Sequence, residues 1–428
     1  MLVDDYSGPF DPDFELARFS RQALADLGRE LLLHGHLQDR VGLPRVLARF
    51  GSDALTKVSI EEWMCASPVY SKRMQRAMNF EGSEVGTIFK NLQLDIGAPH
   101  QFMEFRFDLD GPRYGEFWLE RCGPLLDVEP FGRERVKLMC HDVEDPTFDA
   151  TAAAAHPCAK VRPIHRPPRV PAGRVPHCRW KVFIDDEASG YESHPNLALV
   201  GASKIARLEL RRPARDAEPG GWPDYAGPFD PEFQLEDLSH RALVSVNREF
   251  AVQSHLLSRS FLLCVGQRFG GDWLPEIASA QWTGIAGLTA ERLRKALAIP
   301  GDGAEAIAKV FQVHPCFQPR EYVDLRVALD DGGVRVAFGP CSAFEEDDAC
   351  SWFAHLGQAP HPALDSLARG VNPRASSFPV SPRGDERFAF RVEIDPDAEP
   401  HPEASDVKLA KLSQGARIAL ERRRPLRG

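Results

Sequence analysis

At 428 residues, with 43% apolar and 27% charged residues, the chain has the composition of a globular protein of two or three domains, each able to bury a core. A net charge of −10 and a pI near 5.8 argue against a nucleic-acid surface as its main feature, since phosphate binding relies on clustered cations; the short basic end RIALERRRPLRG is then a solvated tail. No uncharged apolar run is long enough to span a bilayer, and the start MLVDDYSGPF carries acids where a signal peptide needs a basic region and an apolar core.

These features predict a protein of the reducing cytoplasm. There, nine cysteines, an odd count, serve as thiols, metal ligands or catalytic groups more readily than as a disulfide framework.

The chain opens on DYSGPFDPDFELARFSRQAL and repeats itself from Asp224 as DYAGPFDPEFQLEDLSHRAL, with twelve of twenty positions identical at an offset of 219. The offset carries Arg29-Glu30 onto Arg248-Glu249, His36 onto His255, Trp63 onto Trp282 and Cys122 onto Cys341. It drifts by a few residues after that and recovers at CRWKVFID against RFAFRVEID. A period of this size is a domain, not a solenoid unit, so the chain is a tandem duplication. The first copy spans 1–214, a joint rich in Pro, Gly and charge spans 215–222, and the second copy spans 223–428.

Within each copy, Ser20 or Ser239 is placed to cap a first helix, whose apolar face in copy one is Ala23, Leu24, Leu27 and Leu31. Gly51 and Gly270 are placed to end a second helix. A third is predicted from about Ile60, with Trp63 and Trp282 as core anchors. His36 and His255, kept by both copies, read as structural histidines, and Arg29-Glu30 and Arg248-Glu249 as helix-surface or interdomain ion pairs.

The remainder alternates apolar and polar residues. MEFRFDLD, RYGEFWLER, RVKLMC, CRWKVFID and KIARLEL are predicted strands of a mainly antiparallel sheet under the helical part. The fold class is α+β, in two copies whose sheets are expected to meet about a pseudo-twofold axis, imitating a homodimer.

Chemistry concentrates in copy one. Between Cys122 and Cys178 stand Cys122, Cys140, Cys158 and Cys178 with His141, His156, His165 and His177: eight Cys or His in 57 positions, where the whole chain has 23 in 428. Thiolate and imidazole are ligands for zinc or iron, and Cys122, Cys140, Cys158, His165 and Cys178 form the candidate metal set. The spacing lacks a paired C-x2-C knuckle, so cysteines that fill small apolar sites, or a reactive thiol, remain open.

For a reactive thiol, the candidate catalytic residues are Cys140, His141 and Asp142, although adjacent residues of a strand point to opposite faces. Copy two keeps Cys341 but carries Leu356, Arg374 and Phe388 in place of the other three cysteines. Beside the cluster, Lys160 to Lys181 is basic and free of acids, and Arg162, Arg166, Arg169 and Arg179 are candidates to hold a carboxylate or phosphate; a loop of paired or solvated arginines is the alternative. There is no G-x-G-x-x-G, P-loop, G-x-S-x-G or H-E-x-x-H, so no nucleotide cofactor is predicted.

The succession FSRQALADLGRELL, RFG with a following Trp, a strand-end Cys, LMCHDVE and PPR before HCRW resembles the L-2-amino-thiazoline-4-carboxylic acid hydrolase-like proteins. These are similar in turn to the 4-vinyl reductase and haem-NO-binding type of ligand domain. The resemblance implies a small organic molecule held over a sheet beneath helices, with the family's cysteines on Cys122, Cys140 and Cys178. Copy two departs from the pattern at the last two. The expectation is an enzyme, hydrolase-like, acting on a small anionic organic substrate in copy one. A non-catalytic ligand-binding or sensor protein and a structural metal domain are the alternatives; no nucleic-acid or membrane partner is expected, and a homo-oligomer is open.

Overall fold

The computed structural model describes residues 1–187 and 189–422, so the last residues of the basic tail lie outside the described residues. The Ser20 hydroxyl accepts the Ala23 N–H at 3.4 Å and starts α1 (Arg21–Leu37), as its position predicts. After a break at Gln38 comes α2 (Asp39–Phe50). Pro44 accounts for the break, because it has no N–H for the Arg40 carbonyl and its ring crowds that oxygen. Copy two has Leu263 there, and its equivalent stretch is one unbroken 30-residue helix.

Gly51, at φ 86°, turns the chain into α3 (Ser52–Ala77), which begins earlier than the expected Ile60. α4 (Val85–Gln93) follows. β1 (Met103–Asp110), β2 (Tyr114–Cys122), β3 (Ala159–His165) and β4 (Cys178–Ile184) form an antiparallel sheet in the order β1-β2-β4-β3. Strand alternation buries Phe117, Leu119, Val161, Trp180 and Val182 beneath the helices.

RVKLMC is not a strand. Residues 133–153 are a continuous helical stretch ending in α5 (Glu144–Ala153), with π-helical turns over Leu138–Val143. Val136, Cys140, Glu144 and Phe148 recur every four residues, which gives a helix one inward face. Pro146 has no N–H for the Asp142 carbonyl, and the helix widens just before it. KIARLEL is not a strand either: after α6 (Asn196–Ala202), Ser203 caps a single turn over Lys204–Arg207, and the chain continues without sheet partners.

Copy two repeats the plan with α7 (His240–Phe269), α8 (Leu274–Ala296), α9 (Ala304–Val313), β5 (Leu325–Asp330), β6 (Gly333–Phe338), α10 (Pro362–Arg369), β7 (Ala375–Pro379) and β8 (Phe388–Ile394), in the order β5-β6-β8-β7. The pseudo-twofold relation holds, but it is the helices that carry the contact between copies. α1 crosses α7, α3 lies along α7, and α8 lies against α1 and α2. A Cβ on Gly28 would sit 2.6 Å from the Asn247 side-chain oxygen, so this crossing needs glycine.

The repeated opening motif is an exchanged arm. Tyr6 donates its hydroxyl to Gln312 at 2.7 Å, and Tyr225 donates to Gln93 at 2.8 Å. Lys90 donates to the Tyr225 carbonyl of the second arm, and Lys309 to the Gly8 carbonyl of the first. Each arm therefore lies on the fourth helix of the other copy.

Two buried ion pairs follow the same exchange: Glu30 with Arg292 at 2.7 and 2.9 Å, and Glu249 with Arg73 at 2.9 and 3.0 Å. The RE dipeptides of the sequence are thus interdomain anchors, and one hydrophobic core runs through both copies.

Candidate functional site

The sheet and the π-helical stretch bring together three of the expected cysteines. Strand alternation points Cys178 inward beside Trp180, and a bulge at Glu120 returns Cys122 to the same face. The inward face of the helix supplies Cys140. All three thiols are buried. Burial, each other's charge and the Glu144 carboxyl raise their pKa values, that of Cys178 to about 12. Burial likewise pushes Glu144 up to about 8, with Asp145 adding to the rise and Arg166 opposing it. The result is a protonated, uncharged cluster. In copy two, strand register puts Phe388 where Cys178 stands, and the same space is apolar.

The rest of the expected metal set lies elsewhere. Cys158 precedes Ala159, which pairs with Ile184 at the far end of β4 from Cys178, roughly 20 Å away along the strand. His165 donates its Nε2 proton to the Pro176 carbonyl at 3.1 Å. Among the described residues, no group of three or more His, Cys, Asp or Glu side chains is arranged to hold a metal ion.

The candidate catalytic trio also parts company. His141 donates to the Pro167 carbonyl at 2.6 Å, and Asp142 is exposed and pairs with Lys137 at 3.1 Å, leaving Cys140 without a base.

Four arginines of the cationic strip are paired with acids of their own copy. Arg162 pairs with Asp149, Arg166 with Asp145, Arg169 with both oxygens of Glu129 at 2.7 Å, and Arg179 with Glu116. These four guanidiniums tie strands and loops together, and sequence proximity concealed their partners.

Uncommitted cations lie instead between the copies. A cleft of about 980 Å³ is bounded by the end of α3, α5, α6, the extended chain at 206–212 and α7. Seven Lys or Arg line it, against Glu209 and Glu249. Three of the seven are engaged. Arg73 spends its donors on Glu249 and on the Ala206 and Leu208 carbonyls, Arg248 reaches Glu321 and the Arg211 carbonyl, and Arg212 donates to the Arg76 carbonyl. Lys72, Arg76, Arg207 and Arg211 are exposed, and among the described residues their side chains make no hydrogen bond or ion pair, although the Arg76 charge acts on Glu249. Tyr191 also belongs to the lining; its hydroxyl is buried with no hydrogen-bond partner among the described residues, and its pKa is raised to about 12, mainly by burial.

The sequence carried a signal for this cleft in SKRMQR and in IARLELRRPAR, two basic stretches over a hundred residues apart that the fold of copy one brings together through Arg73 and the Ala206 and Leu208 carbonyls.

The pseudo-equivalent cleft of copy two, about 690 Å³, has Glu291 at the position of Lys72, and Lys411 bridges Glu291 and Glu403 across it. Its lining holds Arg294, Lys295 and Arg369 with Glu291 and Glu403, a smaller excess of cations than in the first cleft.

A third group of titratable residues is sealed off. Asp39 accepts the Trp63 indole N–H at 3.1 Å, while its other oxygen and both oxygens of Glu62 are buried without partners. Burial raises Asp39 to about 7 and Glu62 well above the usual carboxylate range, the Asp39 charge adding to the latter. Copy two has Gln281 in place of Glu62. His36 and His255 are buried and held neutral by desolvation, in keeping with a structural role.

No protein-family model matches the chain, and no curated protein or solved structure does so either.

Proposed function

We propose that this protein binds a small organic anion, carrying carboxylate or phosphate groups, in the cleft between its two copies. The observation that carries the reading is the set of four uncommitted cations, Lys72, Arg76, Arg207 and Arg211, lining one side of a cleft of about 980 Å³. Such a set is costly to hold together without a counter-charge, and guanidinium forks match carboxylate and phosphate geometry. Pro68, Val69 and Leu197 offer apolar contact for a carbon skeleton. The anionic ligand expected from the sequence is thus retained, but at a different site and with binding, not hydrolysis at Cys140, as the activity.

The test is thermal melting of the full chain against a panel of small dicarboxylates, tricarboxylates and organic phosphates at fixed ionic strength, in wild type and in Lys72→Glu/Arg76→Glu. A ligand at a hundred times its Kd stabilises by about 2.7 kcal/mol. A ligand-specific rise present in wild type and lost in the variant supports the reading. Equal responses in both, or responses that follow ionic strength alone, overturn it.

A further inference from the structure

Two thiols that the repeat does not demand meet between the copies. Cys65 on α3 and Cys264 on α7 are both fully buried, and the two thiols interact across the contact between these helices. At the offset of 219, Cys65 corresponds to Gly284 and Cys264 to Arg45, so neither thiol fills a position that the shared core requires.

Cys65 has a second partner. Its sulfur lies 3.2 Å from His194 Nδ1, which also accepts the Asn196 N–H at 3.2 Å. Because that N–H can only donate, Nδ1 is an acceptor, and the Cys65 S–H points at a basic nitrogen. The imidazole proton is then on Nε2, 3.6 Å from Glu61, whose carboxylate is held by Arg268 at 2.8 Å. Thiol, imidazole and carboxylate are in the order that lets a histidine take a thiol proton and have its new charge stabilised. Pro68 and Val69, one turn on from Cys65, and Tyr191 and Ser193, close to His194 in the chain, line the cleft. The pair therefore lies beneath the cleft wall, closed to an organic substrate.

We propose that Cys65 and Cys264 are a redox-active dithiol that reduces hydrogen peroxide and closes a disulfide between the two copies, with His194 as the base. His194 takes the Cys65 proton, and the thiolate attacks one peroxide oxygen. The O–O bond breaks, and the departing oxygen takes up the proton and leaves as water. Cys65 is now a sulfenic acid. The Cys264 sulfur attacks the Cys65 sulfur, an S–S bond forms, and hydroxide leaves with the Cys264 proton as water. Two thiols lose two electrons to the peroxide, and the balance is two thiols and one hydrogen peroxide giving one disulfide and two waters. The asymmetry of the site, present at one of the two pseudo-equivalent helix crossings, marks it as an addition to the duplicated scaffold.

The experiment exposes the full-length protein to a slight excess of hydrogen peroxide under native conditions. Remaining thiols are alkylated after denaturation, and the products are mapped by peptide mass spectrometry in wild type, Cys65→Ser, Cys264→Ser and His194→Asn. The proposal requires a Cys65–Cys264 cross-linked peptide in wild type, and a Cys65 sulfenic acid trapped by a β-dicarbonyl probe in Cys264→Ser. It also requires cross-linking slowed at least about tenfold in His194→Asn. Wild-type protein in which Cys65 and Cys264 are both alkylated, while the more exposed Cys158 or Cys341 is oxidised, overturns it, with no reliance on how any variant folds. Unchanged kinetics in a folded His194→Asn overturn the role of the base.

Discussion

The first cleft and its counterpart in copy two are built from the same repeat and differ in charge. In the first, Lys72 and Arg76 end α3 with no side-chain hydrogen bond or ion pair among the described residues, whereas in the second their equivalents are Glu291 and Lys295, and Lys411 joins Glu291 to Glu403. The scaffold that holds both clefts is shared to the level of single hydrogen bonds: Tyr6 with Gln312 mirrors Tyr225 with Gln93, and Glu30 with Arg292 mirrors Glu249 with Arg73. Duplication has kept the parts that lock the copies together and released the parts that face the clefts. A pseudo-dimer within one chain permits that separation, because each cleft mutates on its own, which two identical subunits cannot do.

The shared part gives the largest expected effect. Arg73→Ala and Arg292→Ala each leave a buried carboxylate, Glu249 or Glu30, without its cation, and each is expected to cost about 3–5 kcal/mol in chemical denaturation. Similar losses in both would confirm that the anchors are equivalent; a loss in one alone would break the symmetry argument.

The unshared part comes next. Lys72→Glu/Arg76→Glu is expected to weaken anion binding roughly 100-fold, at about 1.5–3 kcal/mol for hydrogen bonds to charged groups. Conversely, Glu291→Lys with Glu403→Gln is expected to create anion binding in the second cleft, a gain that calorimetric titration would count as a second site.

The Asp39–Glu62 pair separates the copies by pH. Burial raises the Glu62 pKa above its ordinary 4.5, so the folded chain holds this proton more tightly than the unfolded chain does. The associated stability is complete below that ordinary value and declines as pH rises toward the raised one. Glu62→Gln, which installs the copy-two residue type, is therefore expected to flatten the fall in melting temperature between pH 5 and 8 by roughly 2–4 °C. A parallel fall in variant and wild type would show that the carboxyl is ionised throughout.

The smallest effects belong to the caps. Ser20→Ala and Ser239→Ala each remove one bond to a helix N–H and are expected to cost about 1 kcal/mol apiece.

What could be read in the chain follows from the range of the interactions. The Ser20 and Ser239 caps, the glycine stops at Gly51 and Gly270, and the alternation of MEFRFDLD and CRWKVFID are decided within a few residues, and they stand in the structure where the pattern put them. RVKLMC misled because six residues are too few to separate a period of two from one of 3.6. The helical face became visible only when Glu144 and Phe148 extended the series from Val136 and Cys140. The arginines from Arg162 to Arg179 looked free because their carboxylates, Asp149, Asp145, Glu129 and Glu116, lie on other elements.

By itself the sequence determined the duplication, its period, the α+β class and the local signals that start and stop each element, since all of these are written in identity, spacing and nearest-neighbour chemistry. The tertiary structure alone decided that the arms and third helices are exchanged, that the cysteine cluster is sealed and uncharged, and which cations remain without partners. Those outcomes depend on which residues meet across more than a hundred positions of chain, and burial and charge neutralisation act on neighbours in space whatever their distance in sequence.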